Sequence, residues 1–215
     1  MTGLIVAGMH RSGTSLATRL LSAGGWHPGE VLLHGEREEY FEDAAFVGIH
    51  RAWLAACLPP GDGHRDWGVS SGGAPDASLL GDVLPTVTAF QQRREHERDR
   101  WVAKDPRATL FLDQWAGVEG LHFVLLYRSP WDVVDSALRL GHPEFCADPT
   151  LVRRAWLLHN QRLLAFARHH GDRCTVISSE ALAADPIAAW ELLAAAVGVD
   201  GSPAVELIDP AKLFT

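Results

Sequence analysis

Cysteine is scarce in this chain. Its 215 residues hold three, Cys57, Cys146 and Cys174, at long irregular spacings with no C-x-x-C pair. An odd number so arranged excludes a disulfide scaffold and a cysteine-based metal knuckle, and it points to free thiols in a reducing compartment. Long apolar runs are missing too. No stretch approaches the roughly 20 residues that span a bilayer. The apolar start at residues 4–7 is cut off by His10 and Arg11 before it can form a signal-peptide core. No membrane span is therefore expected, and a cytoplasmic location is. Lysine is rare: of 19 basic residues only Lys104 and Lys212 are lysines. Positive charge is not in excess anywhere in the total, since 27 acids against 19 bases give a formal charge of −8 and a pI near 5.7. That balance argues against a nucleic-acid partner or an anionic membrane surface.

What remains is a globular composition. A 47% hydrophobic and 21% charged chain is neither disordered, collagenous nor a coiled coil. The length fits a single domain over residues 1–215. Short apolar runs predict strands at 4–7, 101–104, 121–127 and 174–177. Helical spacing predicts helices from Thr14 to the Gly24-Gly25 stop, over 43–58, and over 77–98 with a break before Pro85. Further helices are predicted from Ser129 to about Leu140, from Asp148 onward, and from Pro186 to Gly198. Ser129-Pro130-Trp131-Asp132 has the form of a capping box. Residues 26–42 read as an irregular excursion, and residues 59–75, rich in Gly, Pro, Ser and Asp, as a mobile loop. Strands alternating with helices predict an α/β fold, a P-loop-like three-layer domain with a central parallel sheet flanked by helices. In such sheets ligands bind beyond the carboxyl ends of the strands.

Three segments sit at those ends. Residues 8–15 read GMHRSGTS, between a strand and a helix. This arrangement aims backbone N–H groups and the positive helix end at an anion. It nearly matches the triphosphate loop G-x-x-x-x-G-K-[ST], but Thr14 stands in the lysine position and Arg11 is the cation within the turn. No apolar strand ends in an aspartate that would hold Mg²⁺; the strand at 121–127 is followed by Arg128 instead. Arg128 and Ser136, one helical start apart, can grip a phosphate together. Lys104-Asp105-Pro106-Arg107 follows the strand at 101–104, with one of the two lysines at the binding edge.

The ordered set R-S-G-T-S, K-D-P and R-x-P-x-D-x-x-x-S resembles the sulfotransferase superfamily, in particular bacterial sulfotransferase-family proteins and, more distantly, tyrosylprotein sulfotransferases. The resemblance implies 3′-phosphoadenosine-5′-phosphosulfate (PAPS) as donor and 3′-phosphoadenosine-5′-phosphate (PAP) as product. It assigns the 5′-phosphosulfate to His10, Arg11, Ser12, Gly13, Thr14 and Ser15, and the 3′-phosphate to Arg128 and Ser136. Lys104 then acts on the transferring sulfuryl group, while Arg107 pairs either with Asp105 or with the ligand. A general base is needed for the acceptor hydroxyl. Relatives place it in the excursion after the first helix, where Tyr40-Phe41-Glu42 resembles a bacterial signature; the candidates are Glu42, then Glu39 and His34. The competing role for Glu42 is an acid at the start of the helix near Asp43.

Sulfuryl transfer parallels phosphoryl transfer, so the expected mechanism is an in-line displacement in which Arg11 and Lys104 stabilise charge on the leaving oxygen. A sulfuryl group carries less charge than a phosphoryl dianion, and no metal is expected. The acceptor is expected to be a small molecule or carbohydrate bearing a hydroxyl, held by residues 26–75 and the helices after Asp148, with Trp26, Trp53 and Trp67 hinting at an apolar ring. No R-K-G-like loop precedes Thr215, which leaves room for a homodimer to complete the site. Two other readings stay open: a P-loop kinase or hydrolase using ATP and Mg²⁺, and a non-catalytic nucleotide-binding protein.

Overall fold

The computed structural model describes residues 3–34 and 39–198. The chain runs β1 (Gly3–Gly8), α1 (Thr14–Ala23), β2 (Leu32–His34), β3 (Glu39–Asp43), α2 (Ala44–Cys57), α3 (Leu84–Glu97), β4 (Trp101–Lys104), α4 (Leu112–Ala116), β5 (Leu121–Tyr127), α5 (Pro130–Arg139), α6 (Pro143–Ala147), α7 (Thr150–His169), β6 (Cys174–Ser178), α8 (Ser179–Ala184) and α9 (Pro186–Val197). Strands β4, β1, β5 and β6 form one parallel sheet in that order.

Every residue of β1 is buried, as a strand covered on both faces must be. Its side chains divide by the period of two. Ile5 and Ala7 pack with Phe46, Phe90, Trp115 and Phe166 from α2, α3, α4 and α7. Leu4 and Val6 pack with Leu20, Leu21, Trp190 and Leu193 from α1 and α9. The result is three layers, helix, sheet and helix.

After β1 the chain moves to the β4 side of the sheet, and after β5 to the β6 side. The tips of β1 and β5 are hydrogen-bonded neighbours, with Gly8 opposite Leu126. This is a topological switch point, where diverging connections leave a crevice. The turn after β1 and Arg128 after β5 both face it.

The structure departs from the sequence expectations at several elements. The excursion at 26–42 contains an antiparallel hairpin, β2 with β3. Over 77–98 the break expected before Pro85 is present, and the piece before it is a 3₁₀ turn at Ala77–Leu80 instead of α-helix, followed by α3 with Pro85 in its first turn. The capping box at Ser129 does not form: its side chain makes no cap bond, and its N–H donates to Glu180 Oε1 at 2.7 Å. A carboxylate from α8 has taken the place of the local acid. The segment at 59–75 is not a free loop. Trp67 and Val69 are buried and join Met9, Val133, Phe145 and Val152 in a third apolar cluster. Among the described residues no helix is long and apolar enough to cross a membrane.

Candidate functional site

The turn after β1 is built for close approach. Gly8 donates its N–H to Thr109 Oγ1 at 2.8 Å. A Cβ on Gly8 would lie 2.4 Å from the Leu126 carbonyl oxygen, so any side chain there would push β1 and β5 apart. Arg11 and Gly13 have φ of 67° and 81°. Left-handed backbone is ordinary for glycine but costly for arginine, and such strain collects at ligand sites. The Ser179 hydroxyl donates to the Ser12 carbonyl and so clamps the turn from α8. No side chain caps α1, whose N-cap is Gly13, so the first-turn N–H groups keep their charge for something else. Ser12 Oγ is fully buried with no protein partner. A buried hydroxyl left so costs about 1–3 kcal/mol, and an anion seated on the turn relieves it. The cradle, the uncapped helix and the orphaned hydroxyl together fit a phosphate or sulfate group.

The predicted anchors at the two strand tips converge on Arg11. Arg128 Nη1 donates to the Arg11 carbonyl at 3.1 Å. Arg11 Nε donates to Ser136 Oγ at 2.8 Å, and Ser136 is buried on α5. The sequence reading set Arg11 and Ser136 at opposite ends of a nucleotide; in the structure their side chains are in contact. Arg128 is itself held from behind, because Trp156 Nε1 of α7 donates to its carbonyl at 2.9 Å.

Lys104 closes the other side. Its Nζ donates to Glu42 Oε1 at 2.7 Å, to the Tyr40 carbonyl at 3.1 Å and to Ser15 Oγ at 3.2 Å. It is 2% exposed and Glu42 8%. Burial pulls the ammonium below its ordinary pKa, and the Glu42 carboxylate restores only part of that. Phe41, between Tyr40 and Glu42, has a φ of 54°. The two residues flanking that kink both reach the same ammonium. The cap of α2 belongs to the neighbour of Glu42. Asp43 is the N-cap of α2, its Oδ1 accepting from the N–H groups of Ala45 and Phe46, each at 3.0 Å.

Behind this pair lies a buried charge network. Arg107 donates to Asp105 Oδ1 and to Asp66 Oδ2, each at 2.8 Å, and comes within 3.7 Å of Glu42 Oε2. Burial lowers the guanidinium's pKa, but Asp105 and Asp66 outweigh it and raise the net value. Burial pushes the Asp66 carboxyl up, yet the hydrogen bonds and charges of Arg107 and Arg51 hold it at about 2. Asp105 is likewise kept low against its burial by His50 and Arg107. Trp115 Nε1 donates to His50 Nε2 at 2.9 Å, so His50 offers Nδ1–H to Asp105 Oδ2 at 2.8 Å. Of the two roles expected for Arg107, the pairing with Asp105 is present, and Asp66 joins it.

Sequence reasoning missed Asp66, His50 and His159. Asp66 lies in the segment read as a mobile loop, where Trp67 was the available sign of burial. His10 Nε2 bonds the Asp66 carbonyl at 3.0 Å, and its ring stacks on Trp67 at 4.8 Å. His159 Nε2 donates to the Trp67 carbonyl at 3.1 Å. Burial lowers His159 to a pKa of about 4, and burial with Arg107 lowers His10 well below its ordinary value.

The remaining candidates are less closely placed. His34 is exposed on β2, paired with Glu39 of β3, and the Glu39 side chain lies outside the described residues. Thr14 is buried, and its carbonyl accepts from Thr18 Oγ1 at 2.9 Å. Trp26, Trp53 and Trp67 are 1%, 7% and 3% exposed, so the hint they gave of an acceptor pocket is withdrawn: they are packing. A cleft of about 580 Å³ lined by Trp26, His27 and Arg100 lies at the amino end of β4, and none of its lining residues belongs to the turn after β1, to the Lys104–Glu42 pair or to Arg128.

A family model described as the sulfotransferase family matches residues 3–203. A sequence comparison with curated proteins gives no significant match. Solved structures of the same fold include the sulfotransferase domain from the curacin biosynthetic pathway, with a TM-score of 0.61 and 18% identity over 98% of this chain and 78% of that one. The sulfotransferase domain of the Synechococcus PCC 7002 olefin synthase gives 0.57 and 20%, covering 96% and 76%. The sulfotransferase STF9 from Mycobacterium avium gives 0.55 and 16%, covering 99% and 66%.

Proposed function

The chain belongs to the sulfotransferase family, and from that premise we propose that it transfers the sulfuryl group of PAPS to a hydroxyl of a small-molecule, carbohydrate or natural-product acceptor. The observation that supports this reading best is the placement of Lys104, one ammonium in contact with both Ser15 of the glycine turn and the Glu42 carboxylate. A donor cradle and a candidate base share a cation.

When bound, the donor supplies a sulfuryl group activated by a good phosphate leaving group. The chain does the rest. The 8–13 turn and the first N–H groups of α1 hold the 5′ end, with Ser12 Oγ donating to it. Arg128 and Ser136 hold the 3′-phosphate, and Arg11 gives up Ser136 to share in the anion. Lys104 and Arg11 supply positive charge where the leaving oxygen becomes negative, the kind of preorganised stabilisation worth most in a dry site. Glu42 takes the acceptor proton. Its Oε1 is bonded to Lys104, so Oε2, 3.7 Å from Arg107, is the oxygen left to receive it. Asp66 and Asp105 act through Arg107 and fix that geometry.

Incubation with radiolabelled PAPS and a panel of hydroxyl compounds tests the reading. Label should pass to at least one acceptor, and Glu42→Gln should abolish the transfer. PAP binding with no transfer to any acceptor would favour a non-catalytic role; Mg²⁺-dependent ATP turnover would favour a kinase or hydrolase.

A further inference from the structure

A second set of ligating side chains lies outside that site. His64 comes from the 59–75 segment, His142 is the N-cap residue of α6, and Glu144 lies in the first turn of α6. One ligand atom from each lies within 4.8 Å of the other two. The nearness is built by packing. Phe145 is fully buried and stacks on the His64 ring at 4.9 Å with the planes 18° apart, while the His142 ring stands edge-on to Phe145 at 5.7 Å. The two imidazoles meet at right angles, with centroids 4.9 Å apart and planes at 81°. One phenyl ring therefore orients both histidines. The Nδ1 of His64 is buried and has no protein partner.

We infer that His64, His142 and Glu144 form a site for a divalent transition metal, zinc above all. Two imidazoles and one carboxylate are a zinc ligand set that leaves a fourth, exchangeable position. Nitrogen-rich sites of this kind select zinc, nickel or copper over magnesium and calcium, which prefer all-oxygen shells. Metal bonds of about 2.0–2.2 Å put tetrahedral ligand atoms about 3.4 Å apart, so the three groups, within 4.8 Å of one another, have to draw together by up to about 1.4 Å. Glu144 is exposed and has the freedom to make that movement. The metal clips the 59–75 segment to the start of α6. Nothing in this assignment depends on sulfuryl transfer.

Isothermal titration of zinc chloride into the full chain, freed of metal with a chelator, tests it. One equivalent should bind, with excess magnesium failing to compete. Replacing an outer-shell partner already costs 10–100-fold in affinity, so loss of a ligand in Glu144→Gln should weaken binding at least about tenfold. His142→Gln should do the same, and His96→Ala, at an exposed histidine elsewhere, should bind as wild type. Glu144 is on the surface, so its variant keeps the fold, which an unchanged melting temperature without metal verifies. No binding by the wild type, or wild-type affinity in both Glu144→Gln and His142→Gln, overturns the assignment.

Discussion

Replacing Lys104 with methionine keeps the bulk of the side chain and removes its charge. Two separable losses follow. The first is stability. Lys104 and Glu42 are a buried pair at 2.7 Å, and stranding one partner of such a pair costs about 3–5 kcal/mol. Two features of the structure place this case near the low end. Arg107 remains 3.7 Å from Glu42, and the ammonium's own burial penalty, seen in its lowered pKa, disappears with it. A loss of about 3 kcal/mol is expected. The second loss is in turnover. A group that stabilises charge only in the transition state contributes about 2.7–4 kcal/mol, which is about 100- to 1,000-fold in rate. The double variant Lys104→Met/Glu42→Gln separates the two. It removes both charges, so it should regain most of the stability and none of the activity. Urea unfolding and initial rates of labelled transfer provide the two readings. A near wild-type rate in the folded single variant would refute the role given to Lys104, and a double variant no more stable than the single would refute the pairing.

Two further substitutions separate binding from folding. Ser12→Ala removes a buried hydroxyl with no protein partner, so the ligand-free protein should be more stable than wild type by about 1–3 kcal/mol, while PAP affinity falls. A drop in ligand-free stability would show that the hydroxyl serves the fold instead. His159 gives a pH signature. Its folded pKa is about 4 against an ordinary 6.5, so between those values the unfolded chain binds a proton that the folded chain does not. Stability from this group is full above pH 6.5 and is lost as pH falls towards 4, by about 3 kcal/mol over the window. His10 is displaced in the same direction. His159→Gln should flatten this part of the pH profile in urea unfolding; an unchanged slope would contradict it.

The parts legible in the sequence were those with long periods or with backbone demands that few residues meet. β1 and β5 are apolar runs, and a strand buried on both faces has no other way to be written. Gly8 and Gly13 mark the turn because a side chain at either one meets a neighbouring atom at 3.0 Å or less. The short elements α4, α6 and α8 hold five or six residues each, too few for a helical period to show. The hairpin β2–β3 was hidden for a similar reason, and its kink at Phe41 has no compositional mark. The capping box failed because the N–H of Ser129 had a stronger suitor 51 residues away in Glu180. Lys104 stood out by the rarity of lysine. Its partner was one of several acids in the 26–42 stretch, and only the fold brings Glu42 to the ammonium. Of the Arg107 network only the neighbouring Asp105 could be read, because the other members are spread over residues 42–115 and meet only in three dimensions.

The central claim is that the tips of β1 and β5 hold the two ends of one doubly phosphorylated nucleotide. Calorimetric titration of PAP and ADP into wild type and Arg128→Ala, and of ATP into wild type with and without Mg²⁺, tests it most directly. A hydrogen bond to a charged group contributes about 1.5–3 kcal/mol, so PAP should bind wild type at least about tenfold more tightly than ADP, and Arg128→Ala should cut PAP affinity by about tenfold or more without weakening ADP. PAP affinity unaffected by Arg128→Ala, or tighter binding of ATP with Mg²⁺ than of PAP, would contradict the account.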